Sequence, residues 1–141
     1  MDEQIPESLF QKYHVALVKA LGEDAQKVFV KLGGELSSQI GGGKKLSLKE
    51  LEKELQNYLQ NDLKLAKNVK VNIENNTLNV EIEECRVCPA NEILRKQGGK
   101  GACFLPGILM NTAKLAEIKK ATIAGSEKFK VGYCKMKLKL E

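Results

Sequence analysis

The sequence predicts an α+β domain: N-terminal helices and one later helix packed on a small antiparallel sheet of two hairpins. Three patterns carry that expectation. Apolar residues recur at helical spacing as far as Leu63, the period switches to two between Val69 and Ile82, and a second alternating run from Cys134 to Leu140 closes the chain. The length of 141 residues suits one core, so residues 1–141 are read as a single domain.

The first helix is read from Leu9, Phe10, Tyr13, Leu17, Val18 and Leu21, with Gly22 as its stop. Asp24 is placed to cap a second helix whose apolar face would hold Ala25, Val28, Phe29, Leu32, Leu36 and Ile40. Gly33 and Gly34 interrupt that helix at about 1 kcal/mol each against alanine, which points to close packing on another backbone. "GGGKK" at 41–45 breaks the chain. Ser47 and Glu50 then form a capping box, with Leu46 and Leu51 as a hydrophobic staple, and open a third helix through Leu55, Tyr58, Leu59 and Leu63.

"VKVNIENNTLNVEI" predicts a hairpin turning at Asn75-Asn76. That register pairs Ile73 with Leu78, Val71 with Val80 and Val69 with Ile82 on one face, and sets Lys70 opposite Glu81 on the other. A glycine-rich loop at 98–101 follows. The fourth helix is expected from Phe104 to Glu117, with Pro106 confined to its first turn. The second hairpin is expected to turn near Gly125-Ser126. Its last strand would bury Cys134, Met136, Leu138 and Leu140 and leave Lys135, Lys137 and Lys139 in water.

The formal charge of +5 is spread among interleaved acids and bases, which suits a solvated surface and not a nucleic-acid stripe. The exposed lysines lack interleaved aromatics, so single-strand binding is not expected either. No run approaches the ~20 apolar residues of a membrane helix. "MDEQIPESLF" shows no signal-peptide pattern, so a cytoplasmic location with reduced thiols is expected, and no membrane partner.

In that setting cysteine spacing points to a metal. Cys85 and Cys88 form a CxxC able to grip one tetrahedral ion from a tight turn. Cys103 stands at a helix start, where the dipole and open N–H groups favour a thiolate. Cys134 faces inward from the last strand. If all four converge, zinc is the expected occupant and the site is closed and structural; an iron–sulfur cluster is the alternative, since four thiolates serve it equally. Four buried thiols with no metal are the plain competing reading. A thioredoxin-type dithiol is disfavoured, because the pattern around the CxxC does not read as a βαβ unit. Glu84, expected on the buried hairpin face, is a substitute ligand.

No catalytic constellation is legible. His14, the only histidine, reads as a packing or surface residue beside Tyr13 and Leu17. "GGGKK" and "GGKG" fit no phosphate loop.

The element order, with cysteines at these points, resembles the 4-vinyl-reductase domain family, small hydrocarbon-binding domains related in fold to the TRAPP vesicle-tethering subunits. "ALGEDAQKVFVKLGGELSSQI" is similar to the family's second helix with its small residues. "ACFLPGILMN" resembles its cysteine-led helix, and "SEKFKVGYCKMKL" its closing strand. Phenol-sensing relatives hold zinc through cysteines and a glutamate beside a pocket for a small aromatic. The resemblance matches Cys103 and Cys134 to two of those ligands. The segment "TIAGSE" lacks the family's intervening cysteine, so Cys85 and Cys88 would replace it. The resemblance further implies a hydrophobic pocket, for which Phe29, Leu32, Phe104, Leu105 and Ile108 are the candidate walls and Tyr13, His14 and Asn111 the candidate polar groups. It implies a zinc-containing, non-catalytic sensor or carrier of a small hydrophobic or aromatic molecule, with no hydride-transfer site. The alternatives are a dimeric assembly module that holds no ligand and an iron–sulfur redox or sensor protein. A homodimer is expected in either the binding or the assembly case.

Overall fold

The computed structural model describes residues 7–38, 40, 45–116, 118, 121–130 and 132–140. They form an α+β fold with a four-stranded antiparallel sheet ordered β1-β2-β4-β3 and helices packed against it.

Helix α1 spans Glu7–Leu21 and ends where Gly22 takes φ 62. Its buried positions are His14 and Val18, one turn apart, with Phe10 half-buried above them. Leu9 and Tyr13 point outward. Helix α2, Ala25–Ser37, begins after Asp24 as expected, but the aspartate side chain makes no cap hydrogen bond. Its buried line is Ala25, Phe29, Gly33 and Ser37, at strict four-residue steps. Val28 and Leu32, read from sequence as facing inward, are 39% exposed.

The face turns because α2 packs through glycine. A Cβ on Gly33 would meet the Phe104 carbonyl oxygen, the Ile108 nitrogen at 2.7 Å and the Gly107 carbonyl carbon at 2.9 Å. A Cβ on Gly107 would meet the Val30 backbone, with Cα and C both at 2.9 Å. The two helices therefore touch backbone to backbone, as the glycine pair suggested, and the larger side chains flank the contact. The partner is α5, Leu105–Leu115, with Pro106 in its first turn. Glu117, its expected end, lies outside the described residues.

Helix α3, Leu48–Asn57, carries the expected reciprocal capping box: Glu50 N donates to Ser47 Oγ at 3.2 Å and Ser47 N to Glu50 Oε1 at 3.1 Å. One π-turn, Tyr58–Asp62, extends it. The helix lies along the edge of β1, Ala66–Glu74. Glu52, Gln56 and Gln60 accept from the backbone N–H groups of Ile73, Val71 and Val69 at 3.0, 3.0 and 3.1 Å. Four helical residues advance about 6 Å and two strand residues about 6.8 Å, so every fourth side chain meets every second N–H. Donors of β1 that no strand satisfies are thereby covered.

Strands β1 and β2 (Thr77–Cys85) pair in the expected register, including Ile73 with Leu78 and Val69 with Ile82. Asn75 and Asn76 turn with φ 51 and 58, the left-handed pair of a type I′ turn. Lys70 does stand opposite Glu81, but the Glu81 carboxylate reaches Lys135 of β4 at 3.0 Å. Strand β4, Tyr133–Leu140, lies between β2 and β3 and buries Cys134, Met136, Leu138 and Leu140, as the alternation required.

Two expectations fail. The second hairpin does not turn at Gly125-Ser126: β3 runs Ala121–Lys130 through both residues, and the chain reverses between Lys130 and Tyr133, where Gly132 has φ 91. Gly125 sits instead at a register shift, the other use of glycine in a strand. The stretch after Cys85 is not only a turn: Val87–Lys96 forms a helix, α4. It ends in a Schellman motif, with Gly98 N donating to Arg95 O at 3.0 Å and Gly99 N to Leu94 O at 2.9 Å.

Gly33→Ala and Gly107→Ala should each cost about 1–3 kcal/mol, because only backbone can give way. Gly125→Ala, with no atom within 4 Å of the added carbon, should stay within about 0.5 kcal/mol. Urea unfolding midpoints check both; equal effects at the three sites would contradict the helix contact.

Candidate functional site

The cysteine region is built by one backbone reversal of hand. In a continued alternation Glu84 would follow Ile82 onto the buried face. Glu84 instead takes φ 58, and Cys85 N donates to Gly132 O at 2.8 Å. The strand therefore ends with Glu84 outside and Cys85 inside. This corrects the expectation that Glu84 is buried: it is exposed and pairs with Lys67 at 3.7 Å.

Cys88 follows in the first turn of α4, so the CxxC joins a strand end to a helix start. That is the local context expected to be missing, although β2 and its neighbours are antiparallel and make no βαβ unit. Cys103 precedes α5 and is half-buried. Its Sγ accepts from Leu105 N at 3.4 Å, so the open helix end does meet the sulfur. Gln26 of α2 holds the same residue by its backbone, donating to Cys103 O and accepting from Cys103 N, both at 3.1 Å. Cys134 is buried on β4 opposite Ile82, two residues from the Gly132 carbonyl that Cys85 uses.

Cys85 feels both neighbours. Its hydrogen bond with Cys88, its burial and the charges that Cys88 and Cys103 would carry hold its thiol well above the ordinary cysteine range, while the Val87 N–H pulls the other way. Three sulfurs thus share one corner of the molecule as thiols. The donor type fits a soft metal, whereas among the described residues no three His, Cys, Asp or Glu side chains are arranged to hold an ion.

Beside this corner a cleft of about 890 Å³ opens between the helices and the sheet end. Phe10, Leu32, Leu36, Leu63, Leu65 and Phe104 supply apolar walls, and Cys85, Pro89 and Gly132 lie at the cysteine side. Of the residues named from sequence, Leu32 and Phe104 line it. Phe29, Leu105 and Ile108 are buried in the core instead. Helical spacing marked all five as apolar, but spacing cannot say which apolar residues border a void. The wall from Leu63 and Leu65 was missed because it belongs to the irregular entry into β1.

The expected polar groups lie elsewhere. Tyr13 is 68% exposed, and Asn111 Nδ2 donates to Gly107 O at 3.0 Å. His14 is a packing residue: its ring stacks on Phe10, meets Phe29 edge-on, and its Nε2 lies 2.9 Å from Asn91 Oδ1. Asn91 also accepts from Ala102 N at 3.0 Å and donates to Ala102 O at 2.9 Å. Since that oxygen is an acceptor, His14 Nε2–H is the donor. One buried amide therefore ties α1, α4 and the loop before α5 together, with no basic nitrogen left at Nε2. No protein-family model and no curated protein matches the chain.

The Cys85 shift has a sign that can be checked. A thiol harder to ionise folded than unfolded contributes stability that is intact below the unfolded thiol pKa of about 8.5 and is lost as pH rises above it. With reductant and chelator present, the urea midpoint should therefore fall between about pH 8 and pH 10, and Cys85→Ala should flatten the fall. An unchanged slope in that variant would contradict the buried-thiol account.

Proposed function

We propose that this domain binds a small hydrophobic or aromatic molecule in the cleft, as a sensor or carrier, and performs no chemistry on it. The observation that carries the reading is the cleft itself, whose volume lies in the range of small-molecule sites and whose walls are leucine and phenylalanine. Each 100 Å² of apolar ligand surface buried there contributes about 2.5 kcal/mol before association costs. The likeness to 4-vinyl-reductase domains agrees with this reading, as does the absence of any polar constellation around the cleft that would do acid–base or nucleophilic work among the described residues.

Zinc belongs to the same proposal. Cys85, Cys88 and Cys103, with Cys134 on the adjacent strand, would hold it as thiolates, and the ion would lock the start of α5 to the end of β2. Its contribution would be structural: the corner that carries Phe104 and Cys85 into the cleft wall would become rigid. A second reading, a dimeric assembly module, has its own support in Leu9 and Tyr13, which α1 leaves 58% and 68% exposed.

The chain has no tryptophan, so Leu32→Trp serves as plug and reporter together. It should abolish binding of the neutral dye Nile red while leaving the circular dichroism spectrum intact. Wild-type protein that takes up no dye and no apolar ligand in native mass spectrometry, yet runs as a dimer, would replace the binding reading with the assembly one.

Metal analysis of protein purified without chelator should find one zinc per chain, released by a thiol reagent and lost in Cys85→Ser. A metal-free protein of unchanged stability would remove zinc from the account.

A further inference from the structure

The cleft carries charges that a hydrocarbon has no use for. Its lining includes three cations, Lys64, Lys67 and Arg86, against one carboxylate, Glu84. The pairing of Ala66 with Cys85 gathers all four at one end, where the entry to β1 meets the exit of β2. The opposite walls are apolar.

Two of these groups are held in place. Arg86 Nε donates to Lys64 O at 2.9 Å, and Arg86 N donates to Leu65 O at 2.9 Å. Lys64 has φ 53, a left-handed conformation that lysine seldom adopts, and in it the carbonyl reaches the guanidinium. The Lys67–Glu84 pair at 3.7 Å is well exposed, so it is weak and open to exchange.

We infer that the molecule bound in this cleft is an amphipathic carboxylate, with its apolar body against Phe10, Leu32, Leu36 and Phe104 and its anionic end among Lys64, Lys67 and Arg86. The inference rests on the reading of the cleft as the binding site and adds the chemical class. A carboxylate at the mouth gains charge-assisted hydrogen bonds, and the planar guanidinium suits its two oxygens. It also satisfies the excess of positive charge over Glu84. A neutral hydrocarbon of the same shape gains neither.

Calorimetric titration of the full chain with octanoate and with 1-octanol, both below any micelle concentration, tests this. At low ionic strength octanoate should bind about fivefold more tightly, and added salt should shrink the gap. Arg86→Gln and Lys64→Gln should each narrow it. Glu84→Gln removes the competing carboxylate, so it should tighten octanoate about twofold and leave 1-octanol unchanged; a gain of this kind does not arise from misfolding. Equal affinities, tighter octanol, or a Glu84→Gln variant with unaltered octanoate affinity would overturn the assignment while Nile red binding keeps the cleft reading alive. Binding of neither compound, with no dye uptake, would remove both.

Discussion

Helices α2 and α5 meet through their backbones at Gly33 and Gly107, and most of the molecule's arrangement follows from that contact. Without side chains between them, the Phe104 carbonyl and the first turn of α5 lie directly on α2. Gln26, two turns earlier on α2, then clasps Cys103 on both backbone groups. The start of α5 thus has one allowed position. Leu32 and Leu36 flank the glycine on α2, so the same contact that brings Cys103 to the sheet end also places the apolar wall opposite it. A side chain at either glycine would push apart the two surfaces that make the cleft.

The sheet is organised to receive this pair. Its β1 edge is closed by the Glu52, Gln56 and Gln60 ladder, whose matched spacing along helix and strand satisfies backbone donors without another strand. Its far end is finished by the left-handed residue Glu84, which rotates Cys85 inward and leaves the carboxylate among the cations at the cleft mouth. One change of backbone hand thereby separates two chemistries, sulfur inside and charge outside, in adjacent residues. Asn91 completes the frame by filling its hydrogen-bonding capacity with His14 and Ala102, groups that sit on different elements.

What could be read without coordinates was local in origin. The hairpin register follows from a period of two on each side of an Asn-Asn turn; both arms agree on one face, and a slip by one residue would expose all six apolar side chains. The capping box is complete within four residues. The alternation of β4 states which side of the strand is dry. The close approach at Gly33 was legible because glycine inside a helix costs stability that only tight packing offsets. In each case the chemistry that decides the conformation lies within one turn or one pair of strands.

Tertiary contacts decided the rest. Helix α4 hid behind a cysteine motif and a proline, since nothing nearby shows that Pro89 stands in a first turn. Gly125 offered the same local freedom to a bulge and to a turn, and pairing along the whole of β4 selected the bulge. Tyr13 and His14 are adjacent and both amphipathic; which one is buried depends on Phe29 and Asn91, far off in sequence. Likewise, apolar spacing marked Phe29, Leu32, Phe104, Leu105 and Ile108 alike, and only the approach of α2 and α5 divided them between core and cleft. The chain by itself determined the period of each segment and hence its dry face. Which surface that face meets, and where two faces fail to close and leave a void, is settled by packing among distant residues, because an amphipathic pattern records that a side chain leaves water and not what it touches when it does.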